Sequence, residues 1–503
     1  MLILDLSVVA VALPSVQSSL NASLGDLQWV FDAYAVTLAA ALIPSGATAD
    51  RFGRKRVFLL GLAIFAAGSL ACGLADTALS LNIGRAVQGI GAAVLYAVGP
   101  AMLGNEFHGK ERGTAFSAFG AATGVAAAVG PLIGGALTSG PGWRWIFFMN
   151  VPIAVVLFPL AVRYLRESRE PSGATPDVVR TIAFTVFLGS LVLAVTRGNV
   201  NGWFSATNIA MYVLAAVVAG VLVKGLGVRR QNAGVEAADL RSRTFVGLCA
   251  ATLLVNACGF PFIFIATTYM QSVLNSSAWQ AGVRFLPMTA AMFVLGALAG
   301  ELCKRVPLRA LFCLACLAVG AGSLLVWWSD AGDSWTSMIP AMVLVGAGIG
   351  IIMPVRAALS VSVFEPSKAA VASGISETAQ QVGIAIGLAI TGAFFENRVV
   401  HAFDATASGR ALGPSAHRAG RAISAGATRS VADSAPHQAA GRVLRDADSA
   451  FANGFHQSMT LGAVFAVVAA LVAVLTISNK DLHPGARLDG IPPETAPDQL
   501  ANV

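Results

Sequence analysis

Charge-free apolar stretches of about 20 residues recur along almost the whole chain, and this feature limits the folds that are open to it. A helix needs about 20 apolar residues to cross the hydrocarbon core of a bilayer. Of the 503 residues, 56% are hydrophobic and 12% are charged, against about 25% charged in an average soluble protein. The sequence therefore predicts an all-α polytopic membrane protein whose surface is covered mostly by lipid.

Each apolar window with at most one charged residue predicts one membrane span, and about fourteen such windows are found. Those before the middle of the chain cover residues 1–19, 28–49, 57–75, 79–103, 114–139, 145–162, 181–196 and 204–223. Those after it cover residues 244–270, 280–300, 310–328, 335–356, 370–395 and 456–478. The first window lacks the basic start of a signal peptide, so we expect a first helix that is clipped short, and a longer form of the chain would begin upstream.

The connections between the windows alternate in charge, which predicts the orientation of the chain. Short cytoplasmic loops carry an excess of Lys and Arg. Basic residues follow the second, fourth, sixth, eighth, tenth and twelfth windows, and the intervening connections hold few charges, except for residues 397–454, which contain seven arginines. The charge rule weakens for loops approaching about 60 residues, so this exception does not change the orientation. We therefore expect a multi-pass protein of the cell membrane with both termini in the cytoplasm. Residues 397–454 are then external and form a partly ordered arm, either a passive connector or, less in keeping with such loops, a collector of substrate.

The connection after the second window combines an acid, glycines and cations in a short turn: Gly46, Asp50, Arg51, Gly53 and Arg54. A cytoplasmic basic loop explains the cations, but it does not explain the spacing of the acid and the glycines. This spacing resembles the GxLaDrxGrkr signature of the major facilitator superfamily, with Thr48 in place of the usual Leu. The resemblance implies that these residues act in conformational gating.

A lone cation lies in the fourth window, where Leu81, Arg85, Gln88, Gly89 and Gly91 resemble the superfamily pattern lxxxRxxqGxgaA. An unpaired cation in the membrane costs from about 3 to more than 10 kcal/mol, so Arg85 should face a polar interior or an acidic partner. Arg85 and Gln88 share a helix face with Tyr96, and this face is predicted to line a cavity. A purely structural Arg85 is the alternative.

The fifth window holds Gly130, Pro131, Gly134 and Gly135, which resemble the gxxxGPxxGG motif of antiporters within the superfamily. This resemblance favours export over uptake and implies a gating role for the four residues. Without it, the proline would kink the helix and the glycines would allow close contact with a neighbour. A helix that only packs is therefore the alternative.

Further segments are LDLSVVAVALP from Leu4, WVFDAY from Trp29, WRWIFFMNVP from Trp143 and SGISETAQQVGIAIG from Ser373. With about fourteen spans, they resemble the EmrB/QacA-type drug:proton antiporters, a branch of the superfamily. The resemblance implies two six-helix bundles, residues 1–170 and 241–480, separated by two inserted helices in residues 171–240 and followed by a cytoplasmic tail, 481–503. A weak internal repeat fits two bundles, since Trp29, Asp50 and Arg54 recur as Trp279, Glu301 and Arg305.

Three acids lie inside predicted spans, namely Asp5, Asp32 and Glu377, and a functional role is the default for such residues. Glu377 shares a polar helix face with Gln381, and Tyr34 follows Asp32 in the WVFDAY segment. The family resemblance matches the acids to positions that serve the export of quaternary ammonium compounds and dyes. Solvation at the interface is the alternative for Asp32, and a charge at a helix end is the alternative for Glu377.

Burial penalises an ionised carboxylate and a nearby cation stabilises it, so a buried acid can exchange a proton for a cationic substrate. The sequence therefore predicts a multidrug efflux antiporter that works by alternating access, with drugs and protons as its partners. The alternatives are a facilitator for a sugar, a siderophore or an amino-acid derivative, and then a polytopic membrane enzyme. No catalytic, metal-binding or phosphate-binding motif is found, so we expect a protein that is not an enzyme and needs no metal or cofactor. We also expect a monomer that does not bind nucleic acid.

Overall fold

The chain is described here by a computed structural model. It covers residues 1–20, 22, 24–107, 115, 118–119, 122, 126, 129–130, 132–168, 178–202, 204–228, 242–330, 332–363 and 369–478. The regular elements within these residues are all helical, which confirms the predicted fold class.

The helices of the first part follow the predicted spans closely. They are α1 Leu2–Leu20, α2 Leu24–Phe52, α3 Arg54–Gly73, α4 Ala78–Glu106 and α5 Asn150–Tyr164. The two inserted helices are α6 Val178–Asn201 and α7 Ala206–Val228. Of the fifth predicted span, residues 132–139 are helical, and much of the rest lies outside the described residues.

The second part contains six long helices and several short ones. The first five long helices are α8 Arg243–Ser272, α10 Leu286–Arg305, α11 Leu308–Leu325, α12 Ile339–Ser362 and α13 Ala369–Asp404, and the short helix α9 Ala278–Arg284 lies between α8 and α10. Three short helices and one last long helix follow, α14 Ala407–Leu412, α15 Ala416–Ser424, α16 Thr428–Asp433 and α17 His437–Thr476. The helices before Val178 pack mainly on one another, as do those after Arg243.

Nine of the described helices are long and apolar enough to cross a membrane, and the bent α2 makes up to ten. The bend of 46° in α2 falls at Pro44, because proline removes a backbone hydrogen bond and clashes with the preceding turn. The total of fourteen spans stays a prediction, since parts of several windows lie outside the described residues.

The predicted external arm is the clearest departure from the sequence-based expectation. Instead of a partly ordered connector, α13 and α17 extend well past their predicted ends, with 36 and 40 residues, and are joined by α14, α15 and α16. These three short helices, here called the cap, bury Ile423 and Ala432 against Phe403 and Ala447 of the long helices. The cap end of the molecule is called the cap face below, and the opposite end, at the Asp50–Arg54 turn, the turn face.

Polar contacts also hold the cap in place. The Arg421 guanidinium lies 3.2 Å from the Glu396 carboxylate, and the backbone N–H of Ser408 donates to Asp446 at 3.1 Å. The Thr428 hydroxyl donates to the carbonyl oxygen of Ser272, the last residue of α8, at 3.2 Å. The cap is therefore a packed part of the second half, with its arginines arranged around a small apolar core.

Candidate functional site

The lone cation of the fourth predicted span, Arg85, is fully buried and has an acidic partner. Its Nη1 lies 2.6 Å from Oδ2 of Asp5 on α1, and its Nε donates to the carbonyl oxygen of Val30 on α2 at 2.9 Å. Its guanidinium carbon lies 4.2 Å from the ring centroid of Tyr34. The expectation that Arg85 needs an acidic partner is thus met, because α1, α2 and α4 converge on it.

Asp5 is held by donors from two other helices, α4 and α5. Besides Arg85, its Oδ1 accepts hydrogen bonds from Gln88 at 2.8 Å and from Asn150 of α5 at 3.2 Å. Gln88 also donates to the Ser69 hydroxyl at 2.7 Å. All these side chains are buried, so the network compensates the carboxylate charge and ties α1, α3, α4 and α5 together.

A second buried ion pair joins Glu377 of α13 to Arg356 of α12. Arg356 also donates from Nη1 to the Ser376 hydroxyl at 3.0 Å. The other carboxylate oxygen of Glu377, Oε2, is buried without a hydrogen-bond partner among the described residues. Glu377 is 6% exposed, so the alternative of a solvated helix-end charge does not fit its position.

Glu377 lies where the two halves meet. Its helix packs against α4 of the first half, where Gln381 lies beside Tyr96 and Glu377 is close enough to act electrostatically on that phenol. Arg85, Gln88 and Tyr96 are all buried, and the cavity that their helix face is expected to line stays a prediction. One helix face therefore connects the Arg85 network to the Glu377 pair.

The third acid, Asp32, has a different arginine partner. Its Oδ2 lies 3.8 Å from Nε of Arg197, near the end of the inserted helix α6, and the guanidinium carbon lies 3.6 Å from the ring centroid of Trp29. Asp32 is 9% exposed and Arg197 is 8% exposed. Solvation at the interface therefore does not describe Asp32, and the three acids occupy three separate positions, each beside its own arginine.

The turn between α2 and α3 is fixed by contacts at both ends. Arg54 pairs with Asp50 at 2.9 Å, and its backbone N–H donates to the carbonyl oxygen of Ser168 at 3.0 Å. The Lys55 N–H donates to Glu167, which follows α5, at 3.1 Å. Gly53 has φ of 107°, a value that side chains strongly disfavour. Gly46 and Arg51 make no comparable contact, since Gly46 has open space beside it and Arg51 is exposed over the Phe52 ring.

The internal repeat is reproduced for the charged residues. Arg305 lies 3.1 Å from Glu301 at the turn-face end of α10, with the same four-residue spacing as Arg54 and Asp50. The tryptophans differ, since Trp29 contacts Arg197 whereas Trp279 is exposed.

Of the antiporter-like motif, Gly130, Gly134 and Gly135 are described and buried, and Pro131 lies outside the described residues. A Cβ atom on Gly134 would lie 3.1 Å from the Cα and carbonyl oxygen of Val8 on α1. This glycine therefore sets the close approach of the fifth predicted span to the helix that carries Asp5, as a packing role requires and as a gating role allows.

Replacing Gly53 by Ala is expected to cost about 1–3 kcal/mol through backbone strain, and to loosen the turn as well. The added Cβ would lie 2.5 Å from the Glu167 carboxylate that receives the Lys55 N–H. Gly142 is a matched control, because it has φ of 109° and no atom near its absent Cβ. We expect both variants to melt earlier than wild type in detergent, and only Gly53→Ala to slow transport. Equal transport rates in the two variants would contradict a role for the docked turn.

Two basic residues of the candidate sites do not stand out in the sequence. Arg197 falls in the predicted connection between residues 196 and 204, and Arg356 falls at the end of the predicted span 335–356, yet both are buried and paired with acids. The available signal was the helix period, because each lies within an apolar run rather than in a basic cluster. Among the described residues, no group of three or more His, Cys, Asp or Glu side chains comes together as a metal site would require.

Long apolar helices in two groups, with acid–arginine pairs buried between them, define a polytopic membrane transporter. The sequence profile of the Major Facilitator Superfamily matches residues 1–388. The chain belongs to this superfamily, as its motifs predicted.

Its relatives are resistance and export proteins. The chain is 31% identical to the tetracenomycin C resistance and export protein of Streptomyces glaucescens, over 95% of this chain and 89% of that protein. It is 34% identical to the puromycin resistance protein pur8 of Streptomyces alboniger, over 78% of each. The crystal structure of a bacterial homologue of the human lysosomal transporter Spinster has the same fold, with a TM-score of 0.60, 18% identity and 96% of each chain covered.

Proposed function

We propose that the chain is a proton-coupled efflux antiporter that exports lipophilic cations and antibiotics across the cell membrane. The observation that carries this proposal is Glu377, an acid buried at the contact between the halves with one carboxylate oxygen that receives no hydrogen bond from the described residues. A proton and a cationic substrate can compete for such a group, which is the requirement for antiport.

The three acids differ in their surroundings, and we assign a different role to each of them. The Asp5 carboxylate accepts hydrogen bonds from Arg85, Gln88 and Asn150 with both of its oxygens, and we assign this network, with Tyr34 packed on it, to holding the first half together. Glu377 and Asp32 each keep a carboxylate oxygen without a hydrogen bond from the described residues. We therefore assign proton exchange to Glu377, and a cation-binding role to Asp32.

Alternating access follows from the contacts between the halves. The contact of Tyr96 with Gln381 and the edge-to-face pair of Phe31 with Phe264, 6.2 Å between centroids, join the halves at two levels. Breaking one set while keeping the other would open the transport path to one side. Protonation of Glu377 would weaken its pair with Arg356 and so bias this choice.

The relatives supply the substrate class. Their names include tetracenomycin C resistance and export, puromycin resistance and multidrug resistance. We propose a substrate of the same kind for this chain, with both termini in the cytoplasm and a monomer as the working unit. An apolar path with a few buried charges suits such molecules better than a sugar, which needs many polar partners.

The proposal is tested with the purified chain in liposomes that contain a fluorescent pH indicator. We expect an outward drug gradient of ethidium to move protons in the opposite direction, and an imposed pH gradient to concentrate ethidium. An uncoupler should abolish the accumulation. Protein-free liposomes are the control for passive leakage. Accumulation that resists the uncoupler, or ethidium movement without proton movement, would refute the antiport mechanism.

A further inference from the structure

The inserted helix α6 places a buried cation on an aromatic ring beside an acid of α2. The Arg197 guanidinium carbon is 3.6 Å from the centroid of the Trp29 ring, and its Nε is 3.8 Å from Oδ2 of Asp32. Asp26, one turn before Trp29, also acts electrostatically on the guanidinium. An aromatic face with carboxylates beside it is the arrangement by which proteins bind organic cations.

The Arg197 contact is loose compared with that of Arg85, a buried arginine of the first half. Arg85 reaches its carboxylate at 2.6 Å and donates two further hydrogen bonds. At Arg197, Nε and Nη2 are buried without hydrogen-bond partners in the described structure, as is Oδ2 of Asp32. A charge-assisted pair normally closes to about 2.7–2.9 Å. Among the described residues, the Trp29–Asp32 site therefore holds Nε and Nη2 of the guanidinium by stacking and charge, without directional bonds.

Arg197 is not needed to attach α6 to α2. The Thr185 hydroxyl donates to the carbonyl oxygen of Ala40 at 2.9 Å, and Val192 packs on Ala39 in a small apolar core. Arg197 lies near the end of α6, four residues before Asn201, so its long side chain can leave the ring while the helix stays in place. The contact is thus separable from the packing of the inserted helices.

We infer that Trp29 and Asp32 form a binding site for organic cations, and that Arg197 occupies it as a tethered cation which a substrate must displace. The inference rests on the proposed export of cations and adds a residue that sets their affinity. When a site is free only part of the time, the apparent dissociation constant rises by the inverse of the free fraction. Arg197 therefore selects for cations that stack more strongly than a guanidinium.

The test measures equilibrium binding of radiolabelled tetraphenylphosphonium to the full chain in lipid nanodiscs. We expect Arg197→Gln to bind the probe about tenfold more tightly than wild type, which corresponds to about 1.4 kcal/mol. Adding Asp32→Asn to that variant should remove the gain. Triphenylphosphine oxide, a neutral probe of similar shape, should bind wild type and Arg197→Gln equally.

Arg144→Gln is the matched control, because Arg144 lies 4.6 Å from the Trp143 ring centroid and 3.4 Å from an exposed acid, Asp76. It should leave probe binding unchanged. Millimolar guanidinium chloride should weaken binding to Arg197→Gln towards the wild-type value, and equal sodium chloride should not. These concentrations are far below those that unfold proteins.

Unchanged or weaker probe binding in Arg197→Gln, with the thermal unfolding midpoint of the variant preserved, would overturn the inference. A lowered midpoint together with lost binding of both probes would overturn it too, because it would make Arg197 a structural clamp. These results are separable from the proposed function, which depends on proton and ethidium exchange in wild type. Proton-coupled export could be confirmed even if Arg197 does not compete for the Trp29–Asp32 site. Likewise, Arg197 could compete for that site even if proton-coupled export is refuted.

Discussion

Replacing Asp5 by Ala is expected to lower the free energy of unfolding by about 3–5 kcal/mol, the largest stability effect foreseen for a single residue here. The substitution leaves the Arg85 charge buried without its carboxylate and removes the acceptor for Gln88 and Asn150. Thermal unfolding in detergent, followed by circular dichroism, measures the effect.

The control for Asp5→Ala is Asp76→Ala, since Asp76 pairs with Arg144 at 3.4 Å with 90% of its side chain exposed. We expect that variant to melt within the error of wild type, as exposed pairs contribute little. The double variant Asp5→Leu with Arg85→Met should recover most of the lost stability, because no charge is then left buried. An Asp5→Ala protein as stable as the control would contradict the structural assignment of this network.

Glu377→Gln is expected to slow proton-driven drug transport by about 5–150-fold. This range corresponds to the typical coupling free energy between two ligands, about 1–3 kcal/mol. The amide keeps an acceptor for Arg356 but cannot exchange a proton. Exchange of labelled for unlabelled drug across the membrane, which needs no net proton movement, should continue. Proton release on drug binding, measured with a pH indicator in weak buffer, should disappear.

Glu377→Asp is the companion variant, because it keeps the charge and the exchangeable proton. We expect it to retain proton release, with a lower transport rate from the shorter reach to Arg356. Asp433→Asn, at an exposed position of the cap, should behave as wild type. Undiminished proton-coupled transport in Glu377→Gln would transfer the coupling role to another group and refute the assignment made here.

Most of the helical architecture could be predicted from the sequence, because hydrocarbon admits few charges and each span therefore appears as an uncharged window. The same physics predicted an acidic partner for Arg85, and the structure supplies Asp5. It could not say which acid, since the pair closes across 80 positions of the chain. Only the packing of α1 against α4 decides that.

The sequence-based interpretation failed where charge and burial occur together. Arg197 and Arg356 lie near window ends, where a basic residue ordinarily marks a loop, yet each meets a carboxylate from another helix. The prediction for residues 397–454 failed for a related reason. The arginines of this segment hid the apolar residues Phe403, Ile423 and Val443, which belong to the apolar core of the second half. Counting charge alone cannot distinguish a folded polar helix from a connector.

The cap also has a practical consequence for imaging the molecule. Transporters without soluble domains give electron cryomicroscopy few features by which to align particles inside a detergent belt. Here α13 and α17 run for about 54 and 60 Å at 1.5 Å per residue, against a hydrocarbon core of about 30 Å. The protruding helices and their cap give each particle an asymmetric landmark, and an antibody fragment raised against it would enlarge that landmark without touching the transport path.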